Sequence, residues 1–202
     1  MKKLLFLIGL SLAIVGQPAA GAITFKIGLS RASLISGYAD KPLTGFHLGV
    51  GYEFALSPHL FVSPELAFVR RGTTEGLPQL GSLVTARITY DFLELPLLLR
   101  WRLGKKSGGF HPLLYAGLYG AYAVSIKSEV SASGQSWDED LGGDSKRLDW
   151  GLLAGVGFEF PLLGHTFVCE GRFYNGLREL NKVAYPQPWK STSLSLLLGL
   201  KL

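Results

Sequence analysis

The chain has 202 residues and a formal net charge of +5, and 48% of its residues are hydrophobic. That length suits a single domain, and subtracting Lys2 and Lys3, which lie in a segment predicted to be removed, leaves a charge of +3. So small an excess, without a basic stripe between aromatic residues, gives no indication of nucleic-acid binding. Its 26 glycines and 12% aromatic residues favour strands and turns over helices.

The first 22 residues are typical of a secretory signal peptide. Lys2 and Lys3 precede an apolar run over residues 4–15, and Ala20-Gly21-Ala22 forms a small-x-small cleavage site. The alternative is an N-terminal membrane anchor, but the run is too short to cross a bilayer comfortably. We therefore expect a mature domain over residues 23–202, in which no run of eighteen apolar residues predicts a membrane helix.

Apolar and polar residues then alternate with a period of two, which predicts strands. The pattern is clear in DFLELPLLLRW, residues 91–101, where one face is purely apolar and the other holds Glu94 and Arg100. Pro96 lacks a ladder donor, so a bulge is expected there, and a second is expected near residues 87–90. Eight strands are predicted, over residues 23–30, 43–56, 60–71, 84–101, 112–126, 148–160, 166–175 and 191–202.

The links between these strands alternate between long and short. Residues 72–82 and 127–147 are predicted to be long loops, whereas residues 57–59 and 161–165 are short links. Eight antiparallel strands with this alternation are typical of an all-β, eight-stranded transmembrane β-barrel of the outer-membrane type. The prediction places the protein in the outer membrane of a Gram-negative bacterium, with both termini in the periplasm.

The alternative is a secreted β-sandwich or a lipocalin-like barrel, with the apolar face inside and the polar face in water. Here the polar face is rich in glycine and carries scattered charges, which suits a narrow lumen filled by side chains. Tyr90, Trp150 and Phe173 are expected in an aromatic band at the outer ends of the strands. The predicted lumen charges are Lys26, Glu53, Glu65, Glu94, Arg100, Glu159, Glu170, Arg172 and Lys201.

Two interpretations of these charges are open. They form either a salt-bridged plug, which an eight-stranded barrel has room for, or a path for protons or ions. The longest loop offers a second candidate, a binding surface or a Ca²⁺ site made of acidic side chains; the alternative is a solvated loop. Its residues are Trp137, Asp138, Glu139, Asp140 and Asp144.

The candidate chemistry for an enzyme is sparse. A lipid-modifying barrel would need serine, histidine and an acid converging at the outer rim, but no His-x-Ser occurs and His47 is predicted to point inward. The histidines lack the spacing of zinc ligands, and the single cysteine, Cys169, excludes an intrachain disulfide. We expect no cofactor, no metal and no enzymatic activity.

Four stretches resemble a known family. FLELPLLLRW is similar to the "YLEIPLLLKY" signature of PorT-like outer-membrane β-barrel proteins. Three further stretches resemble sequences typical of that family: LYAGLYGA, DWGLLAGVGFEF and EGRFYNGL. The resemblance implies a small outer-membrane barrel of Bacteroidetes type, one branch of which is linked to protein secretion. The end of the chain, Leu198-x-Leu200-x-Leu202, resembles the signal that barrel assembly machinery recognises, with leucine in place of the usual final phenylalanine.

Together these observations predict a non-enzymatic outer-membrane barrel. Its role is structural or accessory, either assisting secretion with a partner of the secretion machinery or contacting surface ligands through its outer loops. Its expected surroundings are outer-membrane lipid and lipopolysaccharide. A lipid-modifying enzyme and a narrow pore are the alternatives.

Overall fold

The computed structural model of the protein describes residues 21–35, 40–76, 84–104, 109–132, 135–140, 146–180 and 190–202. Most of the predicted signal peptide, residues 1–20, lies outside these ranges, so its cleavage stays a prediction. None of the described residues belongs to a helix long and apolar enough to cross a membrane. The strands are β1 (Ala22–Ile35), β2 (Asp40–Ala55), β3 (Leu60–Gly76), β4 (Val84–Arg102), β5 (His111–Ala132), β6 (Gln135–Asp140), β7 (Leu148–Leu162), β8 (His165–Gly176) and β9 (Lys190–Lys201).

Eight of these strands close into an antiparallel barrel. The ladder runs from β4 through β3, β2, β1, β9, β8 and β7 to β5, and the β4–β5 pairing closes it. The β1–β9 seam, from Thr24 opposite Lys201 to Ile35 opposite Lys190, joins the first and last strands. The predicted all-β, eight-stranded barrel is thus confirmed, and β6 is an additional strand that pairs with β5.

Burial follows the predicted alternation. In β4, Leu95 is 63% exposed and Leu97 is 52% exposed, whereas Glu94, which points to the opposite side of the strand, is fully buried. The outward face is apolar on every barrel strand, and an apolar belt of this extent is incompatible with water but matches a lipid-facing surface. The core of the molecule is accordingly its lumen, where charged side chains lie among aromatic and small residues.

The two ends of the barrel differ. One end, here called the turn end, holds the short connections at residues 56–59 and 163–164 and the residues Ile23 and Leu202, whose backbones are joined by a 2.8 Å hydrogen bond. The opposite end is called the loop end. There, β5 continues for residues 123–132 beyond Tyr122, the last residue that it pairs with β7.

These extra residues extend the barrel sheet beyond the loop end. The extension sheet consists of the paired ends of β3, β4 and β5 together with β6, over residues 73–76, 84–91, 125–132 and 135–140. The predicted loops at 72–82 and 127–147 are therefore wrong in part, because residues 72–76 continue β3 and residues 127–132 continue β5. Residues 127–132 and 135–140 lack the apolar alternation that predicts the other strands.

The irregularities of β4 also differ from the prediction. The register against β5 shifts between Asp91 and Phe92, but the extra residue is Val124 of β5, so the bulge expected in β4 near residues 87–90 is wrong. The bulge expected at Pro96 is wrong, because Pro96 pairs with Tyr119 in unbroken register. On the other side, the β3–β4 ladder omits Leu95 and Pro96 without changing register, so a local gap accommodates the missing proline donor.

The β7–β8 turn holds a non-glycine residue in a left-handed conformation, and a substitution there tests what this conformation costs. Leu163 and Gly164 form a two-residue turn with φ values of 53° and 79°, a left-handed conformation that costs a non-glycine residue about 1–2 kcal/mol. We expect Leu163→Asn to raise the free energy of unfolding by about 1 kcal/mol, because asparagine tolerates this conformation. Urea unfolding in detergent micelles measures this change in the free energy of unfolding. Leu163→Ala keeps the strain and should leave stability within about 0.5 kcal/mol; an equal gain in both variants would contradict the explanation.

Candidate functional site

A network of buried charges fills the lumen of the barrel. Its charged members come from β1, β2, β3, β4, β7, β8 and β9, while β5 contributes tyrosines. Six cations face six carboxylates, so the network is neutral as a whole when every member is ionised. The cations are Lys26, Arg71, Arg100, Arg102, Arg172 and Lys201, and the carboxylates are Glu53, Glu65, Glu94, Asp149, Glu159 and Glu170.

The central part of the network crosses the lumen. Glu170 on β8 accepts hydrogen bonds from Arg100 Nη2 at 2.5 Å, Arg172 Nη2 at 2.5 Å and Lys26 Nζ at 3.0 Å. Glu65 on β3 accepts from Lys26 Nζ at 2.6 Å and Arg172 Nη1 at 2.6 Å. Each of these side chains is at most 2% exposed. Burying such charges is costly unless they are paired, and here four strands supply the partners.

A second group lies towards the turn end. Glu159 pairs with Arg102 Nε at 2.8 Å and Lys201 Nζ at 2.9 Å. Glu53 pairs with Lys201 and, at 3.4 Å, with both Arg102 Nη2 and Arg100 Nε. Arg100 therefore contacts carboxylates of both groups and makes the network continuous along the barrel axis.

The third group lies towards the loop end. Arg71 on β3 forms an ion pair with Glu94 and lies 3.9 Å from Asp149. The Tyr119 hydroxyl donates to Asp149 Oδ2 at 3.1 Å, and the Arg71 guanidinium lies 4.6 Å from the centre of the Tyr174 ring. Aromatic faces thus surround a cation that already has carboxylate partners, which adds cation–π attraction in a dry environment.

The structure brings together all nine charges that the alternation assigned to the lumen. It adds three that were not in that set: Arg71, Arg102 and Asp149. The signal for them was present, since Arg71 and Arg102 continue the parity of inward residues on their strands. Arg71 stands at the edge of a predicted loop, where the alternation ends. Asp149 lies on the polar face of its predicted strand but is not in the predicted set of lumen charges.

Other predicted residues have different outcomes. Trp150 and Phe173 face outward, 49% and 53% exposed, but Tyr90 is fully buried, so its place in an outer aromatic band is wrong. Tyr90 lies inward because β4 keeps its alternation from Ile88 to Arg100, which places Tyr90 and Phe92 on the same side, where their rings stack at 5.5 Å. His47 points inward as predicted and is fully buried beside Tyr174.

The acidic candidate surface lies on β6. Its backbone pairs Asp138 with Glu129 and Asp140 with Lys127, which places these residues on the extension sheet rather than in a loop. Trp137 and Glu139 lie on the same strand, while Asp144 lies outside the described residues. In the described part of the chain, no group of three or more His, Cys, Asp or Glu residues could hold a metal ion. The Ca²⁺ alternative for the complete acidic segment stays a prediction.

The arrangement in the lumen has a clear chemical consequence. Its carboxylates are held by arginines and lysines, so they are not arranged as an acid–base pair around an open substrate position. The charges instead tie seven strands together across the axis through interactions of high strength, and Tyr119 joins β5 to them through Asp149. In the described part of the lumen, the network fills the centre of the barrel with paired charges.

Comparisons with known proteins agree with this architecture. A family model described as "Outer membrane protein beta-barrel domain" matches residues 17–181. No curated protein gives a significant match. The fold is similar to a major outer membrane protein of Thermus thermophilus, with a TM-score of 0.53 and 12% identity over 91% of this chain and 100% of that one.

Two further solved structures are similar to this chain. Neisserial surface protein A has a TM-score of 0.52 and 13% identity, over 90% of this chain and 97% of that one. The attachment invasion locus protein Ail of Yersinia pestis has a TM-score of 0.48 and 16% identity, over 90% of this chain and 99% of that one. At these identities the likeness concerns the fold alone.

Proposed function

We propose, from the premise that this chain belongs to the family of outer membrane protein β-barrel domains, that it is a non-enzymatic accessory protein which contacts a partner at the cell surface. The observation that carries the proposal is the extension sheet. β5 has 22 residues and β4 has 19, whereas about 9–11 residues suffice to cross the bilayer. The excess is folded into a sheet with an additional strand instead of being left as a loop.

The orientation of the barrel follows from the general plan of outer-membrane barrels. Long connections face the outside and short turns face the periplasm, so we place the extension sheet outside the cell and the turn end in the periplasm. Both chain ends then lie in the periplasm.

Cysteine labelling tests this orientation. In a Cys169→Ser background, Lys127→Cys on the extension sheet should react with a membrane-impermeant maleimide on intact cells, since Lys127 is exposed. Leu163→Cys at the turn end, where Leu163 is 87% exposed, should react only after the outer membrane is permeabilised. The reverse labelling pattern would overturn the orientation.

The chemistry of the extension sheet favours a protein partner over lipopolysaccharide. Three consecutive acids, Asp138, Glu139 and Asp140, end its last strand. Such a segment repels the phosphates of lipopolysaccharide and attracts basic groups. A partner with a basic surface, including a component or a cargo of protein secretion, is therefore the preferred ligand class.

Complementation of a deletion strain tests the proposed function. The surface and secreted proteins of the deletion strain are compared with those of the parent, and defects should be restored by the full chain. A variant with residues 128–145 replaced by a short Asn/Gly turn should fold, as shown by heat-modifiable gel mobility, but should not restore the defects. The triple variant Asp138→Asn, Glu139→Gln, Asp140→Asn keeps the strand length and isolates the charge. Full restoration by the shortened variant would overturn the proposal.

Mass spectrometry of lipid A distinguishes a non-enzymatic barrel from a lipid-modifying enzyme. A non-enzymatic barrel predicts identical lipid A mass spectra in the parent and the deletion strain. A species that loses or gains an acyl chain on deletion, and reverts on complementation, would favour an enzyme instead.

A conductance measurement separates the pore alternative. We expect the purified protein in planar bilayers to show no discrete conductance steps, because paired side chains at most 2% exposed block the middle of the lumen. A membrane protein known to form channels, reconstituted identically, is the positive control. Stable steps from the unmodified protein would show that the network leaves a continuous path.

A further inference from the structure

A cavity opens at the turn end of the barrel. It has a volume of about 1140 Å³ and is lined by residues at the strand ends and in the described parts of the β2–β3, β4–β5 and β7–β8 connections. This cavity, here called the turn-end vestibule, is lined in part by Pro58, Phe61, Arg102, Glu159, Phe160, Pro161 and Lys201. Its size lies slightly above the usual range for ligand pockets, about 300–1,000 Å³.

The floor of the vestibule presents cations. The side chains of Arg102 and Lys201 are 20% and 14% exposed, whereas those of their partners Glu53 and Glu159 are only 4% and 5% exposed. Both cations and one of the carboxylates, Glu159, line the cavity, so the charged lining has two cations and one carboxylate, and the cations are the more exposed. Phe61 contacts both cations, with Arg102 4.1 Å and Lys201 5.9 Å from its ring centre.

The surrounding turns add no negative charge. His59 and His111 line the cavity, and none of the described residues 55–60, 103–104, 109–111 and 161–166 is an aspartate or glutamate. Together with the cationic floor, this composition makes the vestibule complementary to an anionic ligand.

We infer that the turn-end vestibule is a binding site for an acidic, extended peptide segment of another protein. Aromatic rings and prolines on the walls offer apolar contact area, and the cationic floor offers charge-assisted hydrogen bonds to carboxylates. A lipid phosphate is the rival anion, but the vestibule is enclosed by the strand ends, whereas lipid headgroups surround the barrel from outside. The orientation proposed above places this partner in the periplasm, and the partner's compartment rests on that orientation.

A peptide-binding measurement tests the site. The full protein, in nanodiscs of phosphatidylcholine, is titrated against a fluorescein-labelled eight-residue peptide of alternating glutamate and leucine, with fluorescence anisotropy as the readout. The matched peptide has lysine in place of glutamate. We expect the acidic peptide to bind at least about tenfold more tightly than the basic one, a difference of about 1.4 kcal/mol, and to weaken as salt is added.

Three variants locate the binding. Arg102→Gln should weaken the acidic peptide about tenfold by removing one charge-assisted contact. Thr166→Trp fills the cavity, which Thr166 lines opposite Lys201, keeps every floor charge in the chain, and should abolish binding even where Arg102→Gln fails to fold. Arg70→Gln is the matched control, because Arg70 is also ion-paired, at 2.6 Å from Asp91, and stacked on a phenylalanine, but lies towards the loop end.

The outcomes that overturn the inference are distinct. Equal binding of both peptides, or binding that Thr166→Trp leaves unchanged, would exclude the vestibule as an acidic-peptide site. Loss of the peptide when phosphatidylglycerol replaces half of the lipid would assign the cations to lipid phosphate and overturn the peptide ligand. Nanodisc binding is independent of orientation in the cell and of the extension sheet, so failure here leaves the proposed surface function standing, and failure of that function leaves this site standing.

Discussion

Arg172→Met will lower the free energy of unfolding by about 3–5 kcal/mol, the range expected when one partner of a buried ion pair is removed. Arg172 is fully buried and donates to Glu65 at 2.6 Å and to Glu170 at 2.5 Å. Methionine fills part of the space but leaves two carboxylates with fewer donors, so uncompensated negative charge remains in the lumen. Urea unfolding in detergent micelles, followed by tryptophan fluorescence and by heat-modifiable gel mobility, measures the loss.

Two variants give this prediction its control. Arg70→Met removes an ion pair with Asp91 in which the arginine side chain is 39% exposed, and it should cost at most about 1 kcal/mol. The double variant Arg172→Met, Glu65→Gln should regain part of the loss, because it removes one of the two stranded charges. A change within about 1 kcal/mol for Arg172→Met would mean that Lys26 and Arg100 compensate fully, and that the network is redundant.

Leu196→Arg will destabilise the barrel by about 2–4 kcal/mol and reduce its assembly into the membrane. Leu196 lies in the middle of β9, opposite Leu29 and Gly171, and is 65% exposed on the apolar face. An arginine there meets hydrocarbon, and charged residues on the lipid face of β-barrels cost about this much near the midplane. Unfolding in lipid vesicles and the yield of membrane-inserted protein in cells measure the two effects.

The same substitution in a turn supplies the control for Leu196→Arg. Leu163→Arg places the same charge in the β7–β8 turn, where Leu163 is 87% exposed, and should change stability by at most about 1 kcal/mol because water or headgroups solvate it. Equal costs at Leu196 and Leu163 would contradict a lipid-facing surface. Together the two positions also locate the membrane relative to the turn end.

Much of the lumen network could be predicted from sequence alone. A strand alternates its side chains strictly, so each inward charge could be assigned to the lumen from its parity relative to outward leucines, as with Glu94 beside Leu93 and Leu95. The pairing could not be predicted, because it depends on strand stagger around the closed barrel. Glu65 and Arg172 are 107 positions apart in the chain and meet only across the lumen.

The strand predictions are wrong where side chains do not alternate between a lipid-facing side and the lumen. Residues 127–132 and 135–140 leave the membrane, so no lipid-facing period distinguishes a strand from a loop there. In β4 the expected change of parity near residues 87–90 is absent, so Tyr90 stays on the inward side with Phe92 and Glu94. The bulge predicted at Pro96 is absent. Leu95 and Pro96 are instead left out of the β3–β4 ladder, which accommodates the missing proline donor.

The sequence by itself determined the barrel, its strand number and its inward and outward faces, because a bilayer imposes a strict period on every strand that crosses it. The tertiary structure alone decided the extension sheet, the continuity of the ion network through Arg100, and the cationic floor of the turn-end vestibule. Those features depend on which strand ends become neighbours when the barrel closes. Closure brings Arg102, Glu159 and Lys201 together from three distant segments, and no local pattern encodes that meeting.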